Sequence, residues 1–240
     1  MSDKPMNAHG PRTDHLALAA LFLGAVAIGA SPSFVRLSEL GPFATAFYRP
    51  AVLFADIVDF TGFAEHQTPE ETIAMLCEFH ALIAKQIFAH DGNIDKYIGD
   101  AVMGTFGIPN PGQMDPANAL TSARDILADV KIWNEKREVE GRPKMRVSIG
   151  LHFGPGVTGD IGDERRLEFA VIGDTVNVAS RLEQLIRGLN VGIVASDSVV
   201  SMAQRTGKLD ESLFAAMTRG APQTIRGRDA NIDVWTLPAV

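Results

Sequence analysis

From residue 51 onward the chain alternates β-forming runs with capped helical stretches in the order β-α-β-β-α-β, and few folds accommodate that order. AVLFADIV, from Ala51, is a short apolar run that reads as a buried strand. Thr68-Pro69-Glu70-Glu71 spells a capping box with proline in the first helical turn. The helix it opens is expected to bury Ile73, Leu76, Cys77, His80, Ile83 and Ile87 on one face and to end at Asp91-Gly92. NIDKYI and AVMGTFG then read as a hairpin turning at Gly99-Asp100. A second long helix starts at Asp115-Pro116 and runs to about Glu138, where GRP breaks it. KMRVSIGLHFG reads as a strand, and VTGDIG with EFAVIG as a further pair. A helix capped by Asp174 runs to about Arg187, VGIVAS and a short helix follow, and TIRGR with IDVWTL is expected to close the sheet. The fold class is α+β: a ferredoxin-like βαββαβ domain with C-terminal αβ additions, its antiparallel-rich sheet carrying helices on one face.

Within this frame Asp56 sits in an apolar strand, where an unpaired charge is costly. Asp100 sits in the hairpin turn, a position where aspartate is usually only a turn former. The plan makes the first strand and the hairpin neighbours, so the two carboxylates converge at one end of the sheet. Two carboxylates forced together repel unless cations lie between them. The reading that follows is a two-metal site for phosphoryl transfer.

The first fifty residues are a different material. They hold Lys4, Arg12, Arg36 and Arg49 against Asp3, Asp14 and Glu39, a net +1, so the −7 of the 240-residue chain becomes −8 over residues 51–240. An acidic chain has no basic stripe with which to track a nucleic acid, and none is expected as a partner. The lone cysteine, Cys77, can form neither an internal disulfide nor a thiolate zinc site, so a reducing compartment is the default and the catalytic part is expected in the cytoplasm. Residues 16–35 are uncharged, and 15 of those 20 residues are Ala, Val, Ile, Leu or Phe. As a helix they would span ~30 Å, about one bilayer core. Three readings stay open: a membrane anchor, a signal-like segment ending near Gly29-Ala30, and an apolar appendage of the soluble domain. The stretch LAALFLGAVAIGASPSFVRLSELGPFATAFYRP resembles the opening of a ten-helix drug/metabolite transporter of the EamA type, and the resemblance stops at Pro50. One helix cannot enclose a transport path, so transport is not expected. The chain divides into a segment 1–50 with a membrane-helix candidate and a catalytic domain 51–240.

FADIVDFTGF, KYIGDAVMGTFG and EFAVIGDTVNVASRLE, in that order, resemble the catalytic domain of the class III nucleotidyl cyclases. That family forms cyclic AMP or cyclic GMP from ATP or GTP, and its domains pair head to tail so that each active site draws on both subunits. The resemblance implies that Asp56 and Asp100 bind two Mg²⁺ or Mn²⁺ ions with the carbonyl of Ile57 as a further ligand. It implies that the amides of Phe60, Thr61 and Gly62 meet the triphosphate, a use of N–H groups that suits oxyanions. It makes Lys96 the base-recognising lysine of the adenylyl branch, and Asn177 and Arg181 the pair that orients the ribose and stabilises the transition state. The last two are also four residues apart on a helix and share a face near an N-terminus whose dipole favours phosphate. Alone, Arg181 would read as a surface arginine paired with Glu183 or Glu168. Arg226 and Arg228 lie in a segment where the family keeps a basic residue near the terminal phosphates.

Two positions depart from the family. The second base-selecting position falls on Ala170, whose methyl group cannot hydrogen-bond a purine, so ATP versus GTP selection rests on Lys96 or on backbone groups. Asp59 replaces a commoner glycine and is expected to face solvent. The literal G-x-G-x-x-G from Gly154 to Gly159 leads into no helix, which removes a dinucleotide site. His80 and His152 read as structural residues. The expected activity is adenylate cyclisation by a homodimer on ATP; the rivals are a retired cyclase that binds nucleotide without turnover, a guanylate-using cyclase, and a diguanylate-forming palm enzyme, for which the GGDEF-like turn is missing.

Overall fold

The computed structural model describes residues 46–163, 166–228 and 230–239. The apolar run 16–35, with the membrane and transporter-like readings attached to it, lies outside the described residues. Strand β1, Ala46–Tyr48, falls ahead of the boundary drawn at residue 51 and pairs antiparallel with Gly156–Thr158. Next come β2 (Ala51–Ile57), the short helix α1 (Phe60–Ala64), α2 (Pro69–Ala89), β3 (Gly92–Ile98), β4 (Ala101–Phe106) and α3 (Asp115–Val139). After these follow β5 (Val147–Phe153), β6 (Gly156–Asp163), β7 (Arg166–Ile172), α4 (Asp174–Leu189), β8 (Val191–Ser196), α5 (Asp197–Arg205), α6 (Glu211–Ala216), β9 (Thr218–Arg219) and β10 (Val234–Pro238).

Seven strands form one sheet in the order β3-β4-β2-β5-β8-β10-β9, antiparallel except for β5 beside β8, and β1-β6-β7 form a second, three-stranded sheet. The α+β expectation holds. Alternate residues of the central strands face opposite ways, as pleating requires. Leu53, Ala55, Leu151 and Ala195 pack under α2, α3 and α5, while Val52, Phe54, Met103 and Val194 pack under α4. Helices therefore cover both faces, not one. The reason is local: Gly150 has no side chain, and a Cβ there would meet the Glu183 amide nitrogen at 2.3 Å and the Ala179 carbonyl at 2.4 Å. Helix α4 lies directly on the strand at that point.

The capping box forms as expected, with Thr68 Oγ1 accepting from the Glu71 amide and Glu71 accepting from the Thr68 amide. The buried stripe of α2 is offset from the expected one: Met75, Phe79, Ile83 and Ile87 meet the core, whereas Ile73 is 61% exposed and Cys77 is exposed. The i, i+4 series from Met75 carries the larger ring at Phe79, which packs near Trp133, and that volume sets the rotation of the helix. By length and apolarity α2 alone among the described helices could cross a membrane. It belongs to the catalytic part, and its stripe is core. TIRGR is a turn, with the Arg228 amide donating to the Ile225 carbonyl, and the outer partner of β10 is instead Thr218–Arg219. Ile225 is the reason: it is buried against Leu182 and Val234, which ties the segment to α4.

Candidate active site

Strand β2 registers antiparallel against β4 from Ala51↔Phe106 to Ala55↔Val102 and against β5 from Ala51↔Phe153 to Ile57↔Val147. Asp56, one residue past the last β4 pair, therefore emerges beside the β3–β4 turn that carries Asp100. The turn is tight because Gly99 adopts φ 63°, a conformation that glycine takes without penalty. The carboxyl of Asp56 is pushed up to about 7: burial is the largest cause, then a hydrogen bond and repulsion from Asp100, then repulsion from Glu183, against a lowering contact from the Ile57 amide. That amide donates to Asp56 Oδ1 at 3.0 Å.

Three residues stand around Asp56 without a role there in the motifs, Glu183 entering them only as a possible partner of Arg181. Glu183 of α4 is buried, accepts a hydrogen bond from Ser148, and has its carboxyl raised by burial. Arg187, one turn later, places Nη2 3.5 Å from Asp56 Oδ2. Ser148 also donates to the Asp56 carbonyl at 3.4 Å. Asp56 is thus held in a charged pocket made by α4 and β5. The i, i+4 spacing of Glu183 and Arg187 was the available signal, but it says nothing about which strand the pair meets.

Asn177 and Arg181 lie on the other side of α4. With Ser180, Gln184, Leu185, Thr224, Ile225 and Arg226 they line an open cavity of about 420 Å³. Arg181 donates to the carbonyl of Arg226, not to Glu183 or Glu168. Arg228 pairs instead with Asp174, the first residue of α4. Of the two basic candidates, Arg226 stands beside Arg181 and Arg228 at the helix start. Helical geometry separates the two groups of residues: at 100° per residue, Arg181 and Glu183 point about 200° apart. The acids and the Asn177–Arg181 pair thus occupy different sides of one helix.

A β-bulge shifts the β3–β4 register between Ile94 and Lys96, leaving Asp95 as the extra residue. Lys96 Nζ consequently pairs with Glu168 of β7 and sits 3.5 Å from Asp95 Oδ2. The Asp95 side chain is 4% exposed, its Oδ2 has no hydrogen-bond partner among the described residues, and its carboxyl is raised by burial. Ala170 is buried on β7, two residues from Glu168. Phe60, Thr61 and Gly62 form the first turn of α1, after Asp59 in the left-handed region at φ 63°. Asp59 is exposed, as expected. The first intrahelical bond runs from Phe63 N–H to the Asp59 carbonyl, so the preceding amides have no helical acceptor. His152 bonds Ser196 Oγ at 2.8 Å, and burial pushes its imidazole down to about 4. His80 stacks on Tyr97 with ring centres 4.6 Å apart.

The sequence model of the family described as "Adenylate and Guanylate cyclase catalytic domain" matches residues 45–237, and the chain belongs to this family. Adenylate cyclase 1 of Rhizobium meliloti is 35% identical over 63% of this chain and 23% of its own length. An adenylate cyclase of Anabaena cylindrica is 33% identical over 87% of this chain and 40% of its own. The chain thus spans less than half the length of either relative. Among solved structures, the adenylyl cyclase CyaB from P. aeruginosa superposes with a TM-score of 0.71 at 22% identity, covering 82% of this chain and 97% of that one. The guanylyl cyclase Cya2 gives 0.68 at 25% identity, over 81% and 94%.

Proposed function

We propose that this domain converts ATP to 3′,5′-cyclic AMP and pyrophosphate at sites completed by a second copy of the chain. The observation that carries the reading is the convergence of Asp56 and Asp100, with the Asp56 carboxyl raised to about 7. An acid held near neutrality by burial and a neighbouring acid fits a divalent cation, which would replace the shared proton. Asp56 and Asp100 would hold two such ions, Mg²⁺ or Mn²⁺, with the Ile57 carbonyl as a further ligand. Ions bound there would lower the pKa of the substrate 3′-hydroxyl and screen the triphosphate.

The remaining steps belong to the protein. The amides of Phe60, Thr61 and Gly62 would receive phosphate oxygens. Arg181 would face the charge that develops as the 3′-hydroxyl oxygen gives its proton to solvent and bonds to the α-phosphorus while the bond to the pyrophosphate oxygen breaks; such a donor often contributes about 3 kcal/mol. Asn177 would orient the ribose, and Arg226 or Arg228 would meet the outer phosphates. Lys96 would donate to the purine ring, with the Ala170 methyl offering shape alone. Asn177 and Arg181 point away from the acids of their own chain, which supports a head-to-tail homodimer in which each site takes its acids from one copy and these residues from the other. Two relatives named adenylate cyclases favour ATP.

The test is turnover by the full chain with ATP and with GTP in the presence of Mn²⁺. Cyclic AMP should form faster than cyclic GMP, and Asp56→Ala and Arg181→Ala should each abolish it. Nucleotide binding without product would mean a retired cyclase, and faster cyclic GMP formation a guanylate-using one.

A further inference from the structure

On the sheet face away from α4, where α1, α2 and α3 meet, Arg137 of α3 is a buried cation, 2% exposed. Among the described residues no carboxylate forms an ion pair with it. Its one hydrogen bond runs from Nε to the Pro143 carbonyl at 2.8 Å. Its guanidinium carbon lies 4.8 Å from the centre of the Trp133 ring and 6.0 Å from that of Phe63. Nearby acids are engaged elsewhere: Glu78 accepts from Trp133 Nε1 and pairs with Arg142, Glu140 pairs with Lys136 and Arg142, and Glu71 accepts from the Thr68 amide. The two terminal nitrogens of Arg137 therefore have no protein acceptor among the described residues, and they are not sealed from solvent but open on a cavity. The side chain lines a cavity of about 140 Å³ whose wall also includes Phe63, Gln67, Glu71, Ala74, Met75 and Arg142, so two cations face one acid that is already engaged by the Thr68 amide.

Terminal N–H groups with no protein acceptor must be satisfied by what fills the cavity, water or a ligand. Its terminal N–H groups form a planar fork that matches a carboxylate in bidentate fashion. The two rings hold that plane fixed, so little side-chain freedom is lost on binding. In the same cavity Phe63, Ala74 and Met75 offer apolar wall for a short carbon chain. The volume is several times what a single water needs and is suited to a ligand of a few heavy atoms. We infer that this cavity is a binding site for a small monocarboxylate, held by Arg137 and seated against Phe63. Phe63 belongs to α1, the helix that opens with residues 60–62, so the ligand would sit directly behind that turn.

Propionate serves as the probe, with the full chain and without nucleotide, so the outcome is independent of turnover. Thermal unfolding is followed against propionate, with sodium chloride at equal ionic strength as the control. The unfolding midpoint of the wild-type chain should rise saturably by about 2–4 °C above the chloride control. Arg137→Met should remove the rise. Met75→Trp keeps the arginine and puts a larger side chain at a buried position of the cavity wall, and it should remove the rise as well, which preserves the test if Arg137→Met does not fold. No rise beyond chloride in the wild type, or a saturable rise that persists in either variant that folds, would overturn the site.

Discussion

Arg187 reaches back from the last turn of α4 to place Nη2 3.5 Å from Oδ2 of Asp56, so a protein cation already stands at the carboxylate that the proposed metal must use. Arg187 is more than half exposed, and an ion pair of this kind contributes about 0.2–1 kcal/mol. Arg187→Ala should therefore lower the Mn²⁺ concentration for half-maximal activity by up to ~5-fold, read from a metal titration at fixed ATP. An unchanged or raised half-maximal concentration would show that Arg187 does not compete with the ion.

The raised carboxyl of Asp56 sets a pH dependence whose sign follows from linkage. Its folded value, about 7, lies above the ordinary 3.8, so between those limits the folded state holds a proton that the unfolded chain has released. The metal-free protein should lose stability as pH rises from about 4 to about 7, and Glu183, also raised by burial, acts in the same direction. Mn²⁺ should offset the loss at the upper end, where it replaces the proton. Unfolding midpoints across this range, with and without Mn²⁺, check the effect, and Asp56→Asn should flatten the metal-free slope.

Lys96 is tied to Glu168 and lies beside the buried Asp95. A purine that recruits the ammonium must take it from Glu168, a half-exposed partner. Glu168→Ala should lower KM for ATP by up to ~5-fold, the equivalent of a surface ion pair, and Lys96→Ala should cost roughly tenfold or more in kcat/KM. Steady-state kinetics of the two variants separate the readings, because a purely structural Lys96 would leave kcat/KM for ATP unchanged.

Gly150 is the contact on which the placement of α4 depends. Gly150→Ala would drive a methyl group into the backbone of Glu183 and Ala179, which cannot move aside as a flexible side chain could. A loss of about 1–3 kcal/mol is expected, measured by denaturant unfolding. Activity should fall further than stability, since α4 carries Asn177 and Arg181 on one side and Glu183 and Arg187 on the other.

Much of this was legible in the residues because local rules wrote it. The capping box at Thr68, the glycine turn before Asp100 and the strand-helix order each depend on neighbours within a few positions, and each appears where the pattern placed it. The rotation of α2 was not legible, since Ile73 and Met75 are equally apolar and only the fit of Phe79 to the sheet and Trp133 selects between their faces. Nor was the fate of TIRGR, where β-forming residues are overruled by burial of Ile225 under α4.

By itself the sequence determined the family, the convergence of Asp56 and Asp100 at one end of the sheet, and the i, i+4 pairing of Asn177 with Arg181. These follow from motif order and from the two short-range periods of strand and helix. Tertiary structure alone decided that Glu183 and Arg187 close around Asp56, that Lys96 beside the bulge meets Glu168, and that Arg137 faces a cavity without a carboxylate partner among the described residues. Such contacts join residues tens of positions apart, and the chain encodes them only through the packing of whole elements, which no local pattern records.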